Sequence, residues 1–287
     1  MAPVTPDRDT AQHPTPILPP SLKHAPTLRL HLNDLTSPAT TTFLTTIDTA
    51  HLIPNAINHI LKQLYHPHGL HSIPAVRSVT LILRDMGGVA YTTGLDLDSL
   101  HKEIHVSLAY LSNRISSPTA FRHEAIGVIT HEMVHCFQHN CQGTAPGGLI
   151  EGIADYVRLK AGLAPPHWKK GCTEKEMGSK WDEGYQRTAW FLEWLEGEFG
   201  AGTVSKLNAT MKGKYEEKEF WGGLFGCGVE KLWTRYKATW ESTGNNGREE
   251  EQSSSGVPSR AETEPEIVNL SLAEKEEADR TKPMGQQ

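Results

Sequence analysis

With 287 residues, 37% apolar and 22% charged, the chain has room for one large or two small domains around a real core. Its formal charge of −6 is modest and argues against nucleic acid as the main partner, since phosphate binding calls for a basic face. No apolar run approaches the ~20 residues of a membrane span. Four cysteines, Cys136, Cys141, Cys172 and Cys227, are too few and too scattered for a disulfide framework, so they are expected as reduced, partly buried thiols.

Residues 1–26 are rich in proline, lack periodicity and read as a disordered leader. They lack the apolar h-region of a signal peptide, so the chain as written is expected to be cytoplasmic. Order begins with Leu28, Leu30 and Leu32, whose alternation predicts a strand. Residues 41–65 have helical apolar spacing with Pro54 inside, which predicts two helices or one kinked helix, the second part starting near Pro54. Residues 76–84 (VRSVTLILR) predict a second strand, which Gly87 and Gly88 break. Residues 90–94 then continue as a hairpin arm, and residues 103–108 (EIHVSL) form another strand.

The pattern then turns helical. Ser117-Pro118 is an N-cap and first-turn pair, and apolar residues from Phe121 to Phe137 recur at helical spacing. Further helices are predicted over residues 149–161, 181–199, 204–211 and 220–240. Beyond Trp240 the chain becomes Gly, Ser, Glu, Asn and Gln, and residues 241–287 read as a disordered tail. From Glu241 onward, eleven acidic and five basic residues carry the whole net charge of the chain. The predicted organisation is a leader 1–26, one domain 27–240 and an acidic tail 241–287. Strands fill the first half of that domain and helices the second, which is α+β rather than alternating βαβ.

Within the helix around residues 119–139 lies His131-Glu132-Met133-Val134-His135. On a helix, residues four apart share a face, so the two imidazoles can hold one zinc ion while Glu132 reaches a water beside it. The next helix opens with Glu151-Gly152-Ile153-Ala154-Asp155, again two carboxylates four apart. Glu151 is the expected third ligand, with Asp155 accepting a hydrogen bond from a ligand histidine. The exchange of those two roles, and two ordinary surface carboxylates, are the alternatives. His139 is also four residues past His135, but three ligands from one straight helix cannot surround a metal, and no third histidine stands at position 141. Tyr185, Tyr156 and His167 are candidate donors to an oxyanion.

The segments HEMVHCFQHN, APGGLIEGIADYVRLKAGLAPPHW and WDEGYQRTAWFLEWLE, in that order, resemble the plant basic secretory protein family, also described as peptidases of plants and bacteria. The likeness spans most of residues 27–240 and is densest over 124–195. The resemblance implies a zincin-like fold, similar to gluzincins, with His131, Glu132 and His135 as the zinc motif and a downstream Glu151/Asp155 pair. It also favours Tyr185 as the transition-state donor and places a substrate-binding edge strand at residues 103–108. Protein or peptide is the implied substrate. Family members are typically basic and secreted, which makes secretion the alternative location. A non-catalytic defence-related or binding protein on the same scaffold is the alternative function, and the intact Glu132 speaks against it.

Overall fold

A computed structural model describes residues 18, 22, 25–68, 72–170 and 174–247. Strands β1 (Thr27–Leu32), β2 (Ser78–Arg84), β3 (Ala90–Gly94) and β4 (His101–Ser107) form one sheet in the order β1-β2-β4-β3. The first two pairings are parallel and the last is antiparallel. The register aligns Leu30, Leu81, Ile104 and Thr92 across the sheet. The parallel step from β1 to β2 needs a crossover, which α1 (Pro38–Thr46) and α2 (Thr49–Tyr65) supply.

Two expectations change here. The helix break falls at Ile47–Asp48, where the Asp48 carboxylate accepts the N–H groups of Ala50 and His51, and Pro54 lies inside α2. A side chain that caps orphan amides fixes a helix start more firmly than a proline one turn later. The second change concerns the sheet. β3 pairs with β4 and not with β2, so residues 103–107 belong to an interior strand, Leu108 opens the next helix, and the edge is β3. β4 ends in the buried run Ile104–Ser107, suited to neighbours on both sides, whereas β3 is short and half-buried.

A short helix α3 (Leu108–Ser112), absent from the sequence reading, turns the chain out of β4; the Ser107 hydroxyl caps it. Then α4 (Pro118–Phe137) begins as expected, with Ser117 accepting the Ala120 N–H and Pro118 in the first turn. It is buried on most sides: Phe121, Ala125, Ile129, Met133, Val134 and Phe137 are each at 0% exposure. A helix apolar nearly all round is a core helix, and α4 runs between sheet and helices. After a 3₁₀ turn at Cys141–Gly143 come α5 (Gly147–Lys160), α6 (Glu174–Met177), α7 (Tyr185–Phe199), α8 (Thr203–Thr210), α9 (Glu217–Phe225) and α10 (Val229–Gly247). The single helix expected over 220–240 is two, because Gly226 adopts a left-handed φ of 70° and ends α9. Likewise α7 starts at Tyr185, four residues later than expected.

A mixed N-terminal sheet followed by a helical half is thus the observed architecture. Phe191 binds the helices together, its ring 5.4 to 6.2 Å from those of Trp194, Trp221, Trp233 and Tyr236. Leu18 and Leu22 of the leader pack against the core, and α10 runs past residue 240. Residues 1–17, 19–21, 23–24 and 248–287 of the leader and tail lie outside the described residues. Cys136, Cys141 and Cys227 are free thiols, and Cys172 lies outside the described residues. Among the described residues no helix is long and apolar enough to cross a membrane. Asn208, in the sequon Asn208-Ala209-Thr210, is fully buried. Its Oδ1 accepts the His139 N–H and its Nδ2 donates to the Leu64 carbonyl, so the folded chain offers no glycan acceptor there.

Candidate metal centre

On α4 the helical repeat sets His131 and His135 on one face, their Nε2 atoms 3.2 Å apart. Helix α5 returns across α4 and brings Glu151 Oε2 to 3.1 Å from His131 Nε2 and 3.7 Å from His135 Nε2. One ligand atom from each of the three side chains lies within 4.8 Å of the others. One turn further along α5, Asp155 Oδ1 sits 2.5 Å from His131 Nδ1. A carboxylate only accepts, so Nδ1 donates and Nε2 of His131 faces the cluster. His139 stands beyond the end of α4 and takes no part.

The close approach of the next segment depends on small residues in α5. A Cβ at Gly148 would lie 1.7 Å from the Asp182 carbonyl oxygen, and one at Gly152 would lie 2.3 Å from Thr188 Cγ2. The docked segment is closed on itself by Thr188, whose hydroxyl donates to the Trp181 carbonyl at 2.8 Å and accepts the Gly184 N–H at 2.9 Å. Gly184 and Tyr185 both adopt positive φ, 95° and 47°. A left-handed tyrosine costs roughly 1–2 kcal/mol, and it lays the Tyr185 ring parallel to that of His131, centroids 6.2 Å apart at 14°. Burial, then the charges of Glu151, Asp155 and Glu132, raise the Tyr185 hydroxyl well above its ordinary pKa, so it remains a proton donor.

Burial works against a charged His131, but the carboxylates of Asp155 and Glu151 outweigh it and push the ring up to about 10. Glu151 is held far below the usual carboxylate range: burial opposes this, and hydrogen bonds with His131 and His135 dominate. Glu132, 6% exposed, is met from the sheet. The Thr92 hydroxyl on β3 lies 2.8 Å from Glu132 Oε2 and 2.9 Å from the Glu132 carbonyl oxygen.

Glu132, Glu151, Asp155, His131 and Tyr185 line one cavity of about 360 Å³, with Ala90 and Tyr91 of the edge strand along its side. His167 also lines it, whereas Tyr156 is buried beside Glu196 and does not. Sequence reading missed Thr92, because a threonine in a short polar strand carries no motif. It also missed Glu124 and Arg158 on the same cavity, although Glu124 and Glu132, eight residues apart, put two buried charges on one stripe of α4.

A family model described as peptidase of plants and bacteria matches residues 25–236. No curated protein and no solved structure matches the chain.

Proposed function

The chain belongs to the family of peptidases of plants and bacteria, and from that premise we propose that residues 27–240 form a zincin-like, zinc-dependent metallopeptidase domain. The observation that carries this reading is the convergence of three possible ligand atoms. With Asp155 holding the proton of His131 on Nδ1, the Nε2 atoms of both histidines and Glu151 Oε2 face one another at 3.1 to 3.7 Å. Three ligand atoms packed this closely can close on one ion once His131 gives up its Nε2 proton, and two imidazoles with one carboxylate are a donor set that suits zinc. His131, His135 and Glu151 would hold the ion. Gln138 lies 3.0 Å from His135 Nδ1 and can fix that ring as Asp155 fixes the other, when its amide presents Oε1. Zinc bound here supplies Lewis acidity and an acidified water, with a pKa near ~7.

The chain's own groups then have separable tasks. Glu132 takes a proton from the attacking water and delivers it to the leaving amine. The Thr92 hydroxyl holds the Glu132 carboxylate toward the cavity. Tyr185 donates to the oxyanion that develops on the scissile carbonyl. The free edge of β3, with Ala90 and Tyr91 along the cavity, suits an extended peptide added as a further strand. That moves the substrate-binding role from residues 103–108 to 90–94.

A scaffold that only binds would have no use for a buried base aimed into the cavity and held there by Thr92. The test is a comparison of wild type with Glu132→Gln. The variant is expected to keep its zinc while cleaving a protein substrate about 10²- to 10⁴-fold more slowly. Unchanged cleavage by that variant would remove Glu132 from the mechanism.

A further inference from the structure

Beyond the metal cluster, the cavity ends on a second buried polar group. Glu124 of α4 and Arg158 of α5 both line it, each 6% exposed. Arg158 Nη2 donates to Glu124 Oε2 at 3.1 Å and Arg158 Nε to the Leu163 carbonyl at 2.9 Å. The Tyr110 hydroxyl donates to Glu124 Oε1 at 2.8 Å. The Trp168 ring stacks on the guanidinium, with Cζ 5.2 Å from the ring centroid. Space for the guanidinium exists because α4 has Gly127 there: a Cβ would meet Arg158 Nε at 2.6 Å.

A guanidinium has five N–H donors, and the bonds just named use Nε and one proton of Nη2. Among the described residues Nη1 donates to nothing. Each Glu124 oxygen accepts one hydrogen bond and keeps a lone pair. This end of the cavity therefore offers donors beside acceptors with no net charge. It is also within reach of the chemistry. The guanidinium crosses α4 at Gly127, five residues before Glu132, or about 7 Å along the axis.

We propose that this end of the cavity is a subsite for a carboxamide side chain, that of glutamine, on a substrate residue flanking the scissile bond. The proposal rests on the peptidase reading. The amide carbonyl accepts from Arg158 Nη1 and the amide NH₂ donates to Glu124. A lysine side chain would face Arg158 and a glutamate side chain would face Glu124. An alkyl chain would strip water from Arg158 Nη1 and give nothing back, which is costly for a charged donor.

The test uses the full-length Glu132→Gln protein and alanine-based peptides that differ only in a central Gln, Glu, Lys or norleucine. Binding is measured by calorimetry, and cleavage of the same peptides by wild type is followed in parallel. The Gln peptide is expected to bind about tenfold or more tighter than norleucine. Adding Glu124→Gln keeps one acceptor oxygen for Arg158 Nη2 and turns an NH₂ donor toward the Tyr110 hydroxyl oxygen, leaves the guanidinium uncompensated, and is expected to move the preference to the Glu peptide. Equal binding of Gln and norleucine, or a Gln preference indifferent to Glu124→Gln, overturns the subsite. If the Glu132→Gln protein selects Gln while wild type cleaves none of the peptides, the subsite stands and the peptidase reading falls. Cleavage without selection sinks the subsite alone.

Discussion

Helices α4 and α5 meet in two buried polar clusters, one at each end of the same cavity. At one end Glu124 faces Arg158 at 3.1 Å, opposite charges that answer each other. At the other, His131, His135 and Glu151 turn nitrogen and oxygen atoms toward a common point, with Asp155 behind them. The first cluster balances its charges within the chain and leaves three guanidinium N–H groups without a partner among the described residues. The second brings three possible ligand atoms together and could hold a cation in place of the His131 proton. Two helices of similar burial can thus carry an ion-pair staple at one end and a candidate metal centre at the other, and the difference lies in whether the positive charge is a fixed guanidinium or an imidazole that can trade its proton for an ion.

The strongest way to separate the clusters is to remove a ligand. His131→Ala is expected to abolish metal binding and cleavage together, as read by metal analysis and peptide hydrolysis, with the fold retained in circular dichroism. Retained metal would place the ion elsewhere. Arg158→Met should do the reverse: it leaves Glu124 buried without its cation, at a cost of about 3–5 kcal/mol in denaturant unfolding. A loss below about 1 kcal/mol would mean that the pair is not a staple. A smaller effect is expected for Asp155→Asn, about 10- to 100-fold in metal affinity, through the lost anchor on His131 Nδ1. The smallest is Thr92→Val, about tenfold in kcat with KM and metal content unchanged and recovery in Thr92→Ser. Equal losses in Val and Ser would show that the hydroxyl is not what matters.

The candidate metal centre should also respond to pH. The carboxylates around His131 push it up to about 10, so a metal ion must displace a proton from that ring throughout the neutral range. Apparent metal affinity should therefore fall as pH drops and climb as pH rises toward about 10. An affinity flat between those limits would contradict the protonated, metal-free cluster.

Much of this was legible in the sequence, for identifiable reasons. The helix from Ser117 to His135 announced itself through its cap, its Pro118 and its apolar spacing. Glu151 and Asp155 announced themselves by repeating the spacing of the histidines. What stayed hidden depends on contacts distant in sequence. β3 is an edge strand only because β4 inserts between it and β2, and no local pattern encodes that order. Tyr185 opens α7 instead of lying inside it, because Thr188 closes the Trp181–Thr188 turn and Gly148 and Gly152 admit it. Thr92 matters only through Glu132, forty residues away. Pro54 misled because a capping aspartate six residues earlier had already set the helix start.

The most direct measurement is the zinc content of the purified full-length protein beside His131→Ala, after dialysis against a weak chelator. About one zinc per wild-type chain and none in the variant is the expected result. No zinc in either protein, or the same amount in both, would contradict a metal held by His131, His135 and Glu151.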